Sequence, residues 1–129
     1  MLIDTSGLLA YFDPRGGDHD TADRLFKSAR FRLTHSYVLA EFIPLCEVRG
    51  HFRPAVLAFS RELMNNPRIE IVWVDKSLHQ TAFALLEARL DKKYSLCDAV
   101  SFVLMRQRGL LDALTTDHHF EQEGFSKLL

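Results

Sequence analysis

Asp4, Glu41, Asp98 and Asp117 are the residues of this sequence whose type and placement could do chemistry. Asp4 closes the strand-like run that begins at Leu2, and Asp117 closes a second such run from Ala113 to Thr116. If both runs lie in one parallel sheet, strand direction sends both carboxylates to the same rim, beyond the carboxyl ends of the strands, where ligands bind in open α/β sheets. Taken singly, either aspartate could instead cap a helix, a position for which aspartate is preferred. Asp98 stands three residues after Ser95, the spacing of a capping box. It also shares a helical face with Ser101, Phe102 and Met105, so it continues a stripe aimed at the core.

Glu41 falls between Tyr37, Leu45 and Val48 on one predicted helical stripe, with no Lys or Arg one turn away on that face. A glutamate buried there needs a partner, a proton or a metal. Pro44 is expected to kink this helix, because it removes a hydrogen bond to the carbonyl of Ala40. If the acids converge at about 5 Å, each ionised pair repels by roughly 3 kcal/mol at an effective dielectric of about 20. A divalent cation reverses the sign of that interaction. Oxygen donors without an organised His or Cys set select magnesium or manganese over zinc.

The elements that must position these acids are legible in outline. Thr5 and Ser6 start a helix carrying Leu8, Leu9 and Phe12, which Asp13-Pro14 stops. Ala22, Leu25, Phe26 and Ala29 recur at helical spacing, and Phe31 to Thr34 returns to strand character. Helices are predicted from about Ser36 to Arg49 and from Pro54 to the Asn65-Asn66-Pro67 break. The β-branched run from Ile69 to Val74 is the clearest strand, followed by a helix carrying Leu78, Ala82, Leu85 and Leu86. Ser95 opens an apolar helix that ends at Gly109; Ala113 to Thr116 forms a further strand, and Phe125 to Leu128 reads as a short last one. Strands separated by one or two helices imply a parallel sheet with helices on both faces.

With 129 residues, 47% of them apolar and 26% charged, the chain suits one soluble domain spanning residues 1–129. A net charge of −1 excludes a globally basic nucleic-acid binder, while leaving room for a local basic patch. Cys46 and Cys97 match no zinc or redox spacing and fit a reducing cytoplasm. The N-terminal run has an acid at position 4 and no basic flank, a poor signal peptide, and no apolar stretch reaches membrane-spanning length.

Candidate cations for a phosphate backbone are Arg15 in the first loop and Lys92 and Lys93 before the Asp98 helix, each of which could equally be a solvated surface residue. Tyr11 and Tyr94 could stack on bases, although aromatics at apolar helices more often pack in cores. His118 and His119 are left out of the metal set, since adjacent histidines cannot both face one site from a regular helix or strand. An aspartyl phosphatase would want a second acid where Ser6 stands, and a receiver domain an acidic pair after the first strand. No glycine-rich phosphate loop of the Walker or dinucleotide type is present.

The segments LIDTSGLLAYF, SYVLAEF, YSLCDAVSFVLMRQRG and LTTDHHFEQEGF, in this order and spacing, resemble the PIN-domain ribonucleases, especially VapC-like toxins of bacterial toxin–antitoxin pairs. The resemblance covers nearly the whole length. It implies a doubly wound three-layer α/β/α sandwich with a central parallel sheet of four or five strands, and an acidic pocket of Asp4, Glu41, Asp98 and Asp117 as catalytic and metal-holding residues. Ser6 matches a small hydroxylated residue that supports the first aspartate, and Thr116 one beside the last. The implied activity is Mg2+- or Mn2+-dependent endonucleolytic hydrolysis of RNA leaving a 5′-phosphate, by a cytoplasmic homodimer that a small antitoxin holds inactive. Some relatives carry a further acid where this chain has His119, so a second metal is expected to bind more weakly here. The competing expectation is a non-catalytic module of the same fold that docks RNA or a protein partner.

Overall fold

Burial of just two side chains makes the first strand the centre of the sheet. A computed structural model describes every residue from Met1 to Leu129. In it, β1 (Leu2–Ile3) sends Leu2 into one core and Ile3 into the other, and both are fully buried. Because successive strand side chains point to opposite faces, a strand this short can still tie two layers together, each aliphatic side chain contributing roughly 1.5–3 kcal/mol.

The chain continues through α1 (Thr5–Phe12), α2 (His19–Ser28), β2 (Leu33–His35), α3 (Ser36–Val48), α4 (Arg53–Asn65) and β3 (Glu70–Val72). It then runs through α5 (Lys76–Glu87), α6 (Leu96–Arg108), β4 (Asp112–Leu114), α7 (His119–Gln122) and β5 (Ser126–Lys127). All strand pairs are parallel, in the order β3-β2-β1-β4-β5. Helices α1 to α4 pack Leu8, Phe26, Phe42 and Leu63 beneath the sheet, while α5 and α6 pack Ala82, Phe102 and Met105 above it. The result is the expected three-layer α/β/α architecture, with the five-stranded version of the sheet.

The strand order locates the ligand-binding crevice. From β1 the chain winds outward through β2 and β3, then returns to the other side of β1 to lay down β4 and β5. The winding therefore reverses between β1 and β4, whose register pairs Ile3 with Leu114. At such a switch point the connections leave the strand ends in opposite directions and open a cleft. Asp4 and Thr115, the next residues on each strand, stand at its floor, joined by a 3.2 Å bond from the Asp4 N–H to the Leu114 carbonyl. Close approach of α1 to β4 depends on Gly7, where a Cβ would lie 2.0 Å from the Leu114 carbonyl oxygen.

One expectation for α3 needs correction. The helix runs from Ser36 to Val48 with the exposed Pro44 inside it. Its buried face is Val38, Phe42 and Cys46, so Glu41 is exposed and Val48, assigned to the same stripe, is 84% exposed. Tyr37, Val38, Leu39, Ala40, Phe42, Ile43, Leu45 and Cys46 give this helix apolar residues on nearly every side. Periodicity then cannot choose a face; packing against α1 and α4 does.

Candidate active site

Asp4 occupies the N-cap position of α1 but its side chain makes no capping bond. Its Oδ2 accepts hydrogen bonds from Thr115 Oγ1 at 2.9 Å and Ser6 Oγ at 3.2 Å, and the residue is 5% exposed. Burial pushes its carboxyl up to about 6, opposed by the Thr115 hydroxyl and reinforced by the like charges of Asp98 and Glu41. Capping therefore does not account for Asp4. It is a carboxylate held out of water, steered by hydroxyls and not neutralised by any Lys or Arg.

The supporting threonine is Thr115, which corrects the assignment to Thr116. Thr115 is fully buried, donates to Asp4, and its Oγ1 accepts the Asp117 backbone N–H at 3.0 Å. The Thr116 side chain is exposed; that residue contributes only its backbone N–H, to Ser6 Oγ at 3.0 Å. The strand ends at Leu114, and the first residue beyond it is the one whose hydroxyl reaches Asp4. Ser6 sits where it was expected, bonded to Asp4 and 3.0 Å from Thr115 Oγ1.

Asp98 has two roles in one side chain. With Ser95 it completes a reciprocal capping box at the start of α6, the Ser95 N–H donating to Asp98 Oδ2 at 3.0 Å and the Asp98 N–H donating to Ser95 Oγ at the same distance. The residue is buried at the cleft, and its carboxyl is raised by burial and by Asp117 against the opposing Ser95 and His119 bonds. Asp117 is half-buried and accepts the His119 backbone N–H at 2.9 Å, a local turn that starts α7. Glu41 is exposed, yet near enough for its charge to add to the effect of burial in raising both Asp4 and the Cys97 thiol. Its placement at the open side of the cleft replaces the buried position predicted for it.

Like-charge coupling thus links Glu41 to Asp4, Asp4 to Asp98 and Asp98 to Asp117, and no Lys or Arg pairs with any of them. The tightest grouping is Asp117, His118 and His119, whose ligand atoms lie within 4.8 Å of one another. His118 is the N-cap of α7 and His119 its first residue, with ring centroids 4.6 Å apart, and of the two only His119 approaches a second carboxylate. His119 Nδ1 lies 3.2 Å from Asp98 Oδ2 and 3.3 Å from Asp117 Oδ1.

Arg15 is turned back on Asp13 at 3.2 Å and Lys92 pairs with Asp91 at 3.4 Å, whereas Lys93 is exposed and unpaired. Tyr11 stacks on Phe26 at 4.1 Å, and Tyr94 packs edge-on against Phe102 and His119, so both aromatics are packing residues. Arg49 escaped the sequence reading. It carries no ion pair and lines a groove of about 310 Å³ together with Ser6, Ala10, Asp13 and Thr116, beside the acidic cleft. Only the spatial return of the α3 C-terminus to α1 reveals it; nothing in the local pattern around Gly50 does.

A parallel five-stranded sheet whose switch point gathers sequence-distant acids defines a PIN domain, and a PIN-domain family model matches residues 1–125 of this chain. The chain belongs to that family. It is 33% identical over 126 residues to the 23S rRNA-specific endonuclease VapC20 of Mycobacterium tuberculosis, covering 97% of this chain and 95% of that protein. Ribonuclease VapC26 of the same organism is 33% identical over 122 residues, with coverage of 93% and 89%. The crystal structure of Mycobacterium tuberculosis VapC20, described as a sarcin-ricin loop cleaving toxin, matches with a TM-score of 0.88 at 28% identity, over 98% of this chain and 96% of that one.

Proposed function

We propose that this protein is a divalent-metal-dependent endoribonuclease of the VapC type, the toxin of a toxin–antitoxin pair. The observation that carries the reading is the buried, uncapped Asp4 carboxylate, electrostatically coupled to Asp98 and Glu41 with no protein cation to balance it. A docking module has no use for that cost, since a buried charge without compensation is expensive. Relatives named as endonuclease and ribonuclease over almost the full length support the same conclusion.

The donors present suit a hard or borderline divalent ion: carboxylates of Asp4, Glu41, Asp98 and Asp117, with the His119 imidazole beside them. Such an ion, when bound, activates water and offsets charge developing on phosphoryl oxygens. The protein's own part is positional. Ser6 and Thr115 hold the Asp4 carboxylate in one orientation, and the Ser95 capping box does the same for Asp98. Arg49 beside the cleft, with Lys93 before α6, provides positive charge for an RNA backbone. Exposed Glu41 is placed to meet solvent and orient a nucleophilic water.

The substrate proposed is a structured ribosomal RNA loop, by similarity to VapC20. The working environment is cytoplasmic, with the thiols of Cys46 and Cys97 reduced, and no helix is long and apolar enough to cross a membrane. A homodimer and a small antitoxin complete the proposal. The test is to incubate purified protein with a sarcin-ricin loop oligonucleotide and with total ribosomal RNA, adding Mg2+, Mn2+ or chelator, and to map the ends. Metal-dependent cuts bearing 5′-phosphates are expected, and their loss in Asp4→Asn. Equal cleavage by parent and Asp4→Asn, with contaminating nuclease excluded, overturns the assignment.

A further inference from the structure

We infer that His119 Nδ1 joins Asp98 and Asp117 as a ligand, giving a mixed nitrogen–oxygen subsite that prefers manganese or another first-row transition ion to magnesium. The inference rests on the metal-dependent reading above and deepens it.

Distances carry the argument. One imidazole nitrogen faces two carboxylate oxygens from different elements, Asp98 Oδ2 on α6 at 3.2 Å and Asp117 Oδ1 after β4 at 3.3 Å. Charge-assisted N–H···O bonds are normally shorter, about 2.7–2.9 Å. In an octahedral ion with ligands at about 2.1–2.2 Å, adjacent ligand atoms lie roughly 3.0 Å apart. The two separations are close to the edges of such a shell; the Asp98 contact is also a hydrogen bond, so an ion entering here takes the place of the proton shared between Nδ1 and the carboxylates.

The ligand is also held in place without one. The His119 backbone N–H is anchored on Asp117 Oδ1 at 2.9 Å, and its ring packs against the buried Tyr94 with centroids 5.3 Å apart. Behind it, Glu123 takes ion pairs from both Arg89 and Arg106, which fastens the end of α7 to the α5–α6 connection and to α6. His118 differs: its side chain is 68% exposed and its Nδ1 is 3.7 Å from Asp117 Oδ1, too loosely placed to share the role. Imidazole nitrogen is a poor ligand for magnesium and a good one for transition ions, so its presence shifts selectivity where carboxylates alone would not.

The experiment is electron spin-echo spectroscopy on the Mn2+-loaded protein, with calorimetric titration of Mn2+ and Mg2+ in parallel, on the parent, His119→Gln, His119→Ala and His118→Ala. Glutamine keeps the size and hydrogen-bonding capacity of the side chain, and melting curves check that each variant is folded. Modulation from an imidazole 14N is expected in the parent and His118→Ala, and absent in both His119 variants. Mn2+ affinity should fall by about tenfold or more in the His119 variants, in the range of losses from disturbing a metal shell, while Mg2+ affinity changes by less than about threefold. Mn2+ bound to the parent without 14N modulation, or modulation that persists in His119→Gln, overturns the inference and leaves the metal-dependent nuclease reading standing. Failure of the parent to bind Mn2+ at all overturns both.

Discussion

Replacing Asp4 by asparagine should remove activity and at the same time stabilise the metal-free fold. Burial lifts the Asp4 carboxyl from 3.8 to about 6, and at 1.36 kcal/mol per unit that displacement corresponds to ~3 kcal/mol of native-state destabilisation once the group is ionised. The sign follows from proton binding. Between about pH 3.8 and about pH 6 the folded protein keeps a proton that the unfolded chain has lost, so stability is fullest below that window and declines as pH rises through it. Asparagine is neutral at every pH, has nearly the same shape, and retains an oxygen to accept from Ser6 and Thr115. In chelator at pH 7.5, urea denaturation should therefore find the variant more stable by ~1–3 kcal/mol, and at pH 4 the advantage should shrink towards zero. Mn2+ at a hundred times its Kd should shrink that advantage, because the parent gains about 2.7 kcal/mol from the ion and the variant gains less. If Asp4→Asn is no more stable than the parent in chelator at pH 7.5, the account of Asp4 as an uncompensated buried charge is wrong.

Thr115→Val should lower cleavage by roughly 10- to 100-fold, the worth of a hydrogen bond to a charged group, and leave circular dichroism unchanged; Thr116→Val, altering an exposed side chain, should cut RNA nearly as well as the parent. Gly7→Ala places a methyl 2.0 Å from a backbone oxygen that cannot turn aside, and thermal melting should register a loss of about 3 kcal/mol or insoluble expression. Arg49→Glu should weaken RNA binding and reduce the salt slope of affinity by about 1, as expected for one phosphate contact, with turnover at saturating RNA changed little. A parent-like salt slope in that variant would remove Arg49 from the interface.

How much of this was readable beforehand differs from residue to residue. Asp4 and Asp117 were legible because strand direction is a global property: any parallel arrangement of Leu2–Ile3 with the Ala113 run puts both acids on one rim. Asp98 was legible as a cap and, from its helical face, as more than a cap, and both readings hold at once. Glu41 was placed in the right neighbourhood for a wrong reason. Its helix is apolar on nearly every side, so the pattern lacked the contrast that fixes rotation about the axis. Thr116 came from the resemblance, which puts a hydroxylated residue beside the last aspartate; only the three-dimensional end of β4 shows that the hydroxyl reaching Asp4 is that of Thr115.

The sequence by itself determined the order of elements, the parallel sheet, the family and the identity of the acids, since each of these is encoded in type, spacing or chain direction. Tertiary structure alone decided which side chain of a neighbouring pair faces the cleft: Thr115 over Thr116, His119 over His118, and Arg49 in place of the Asp13-bound Arg15. Those choices turn on rotations of one residue at strand ends and turns. There a local sequence leaves several orientations close in energy, and packing from distant parts of the chain selects one.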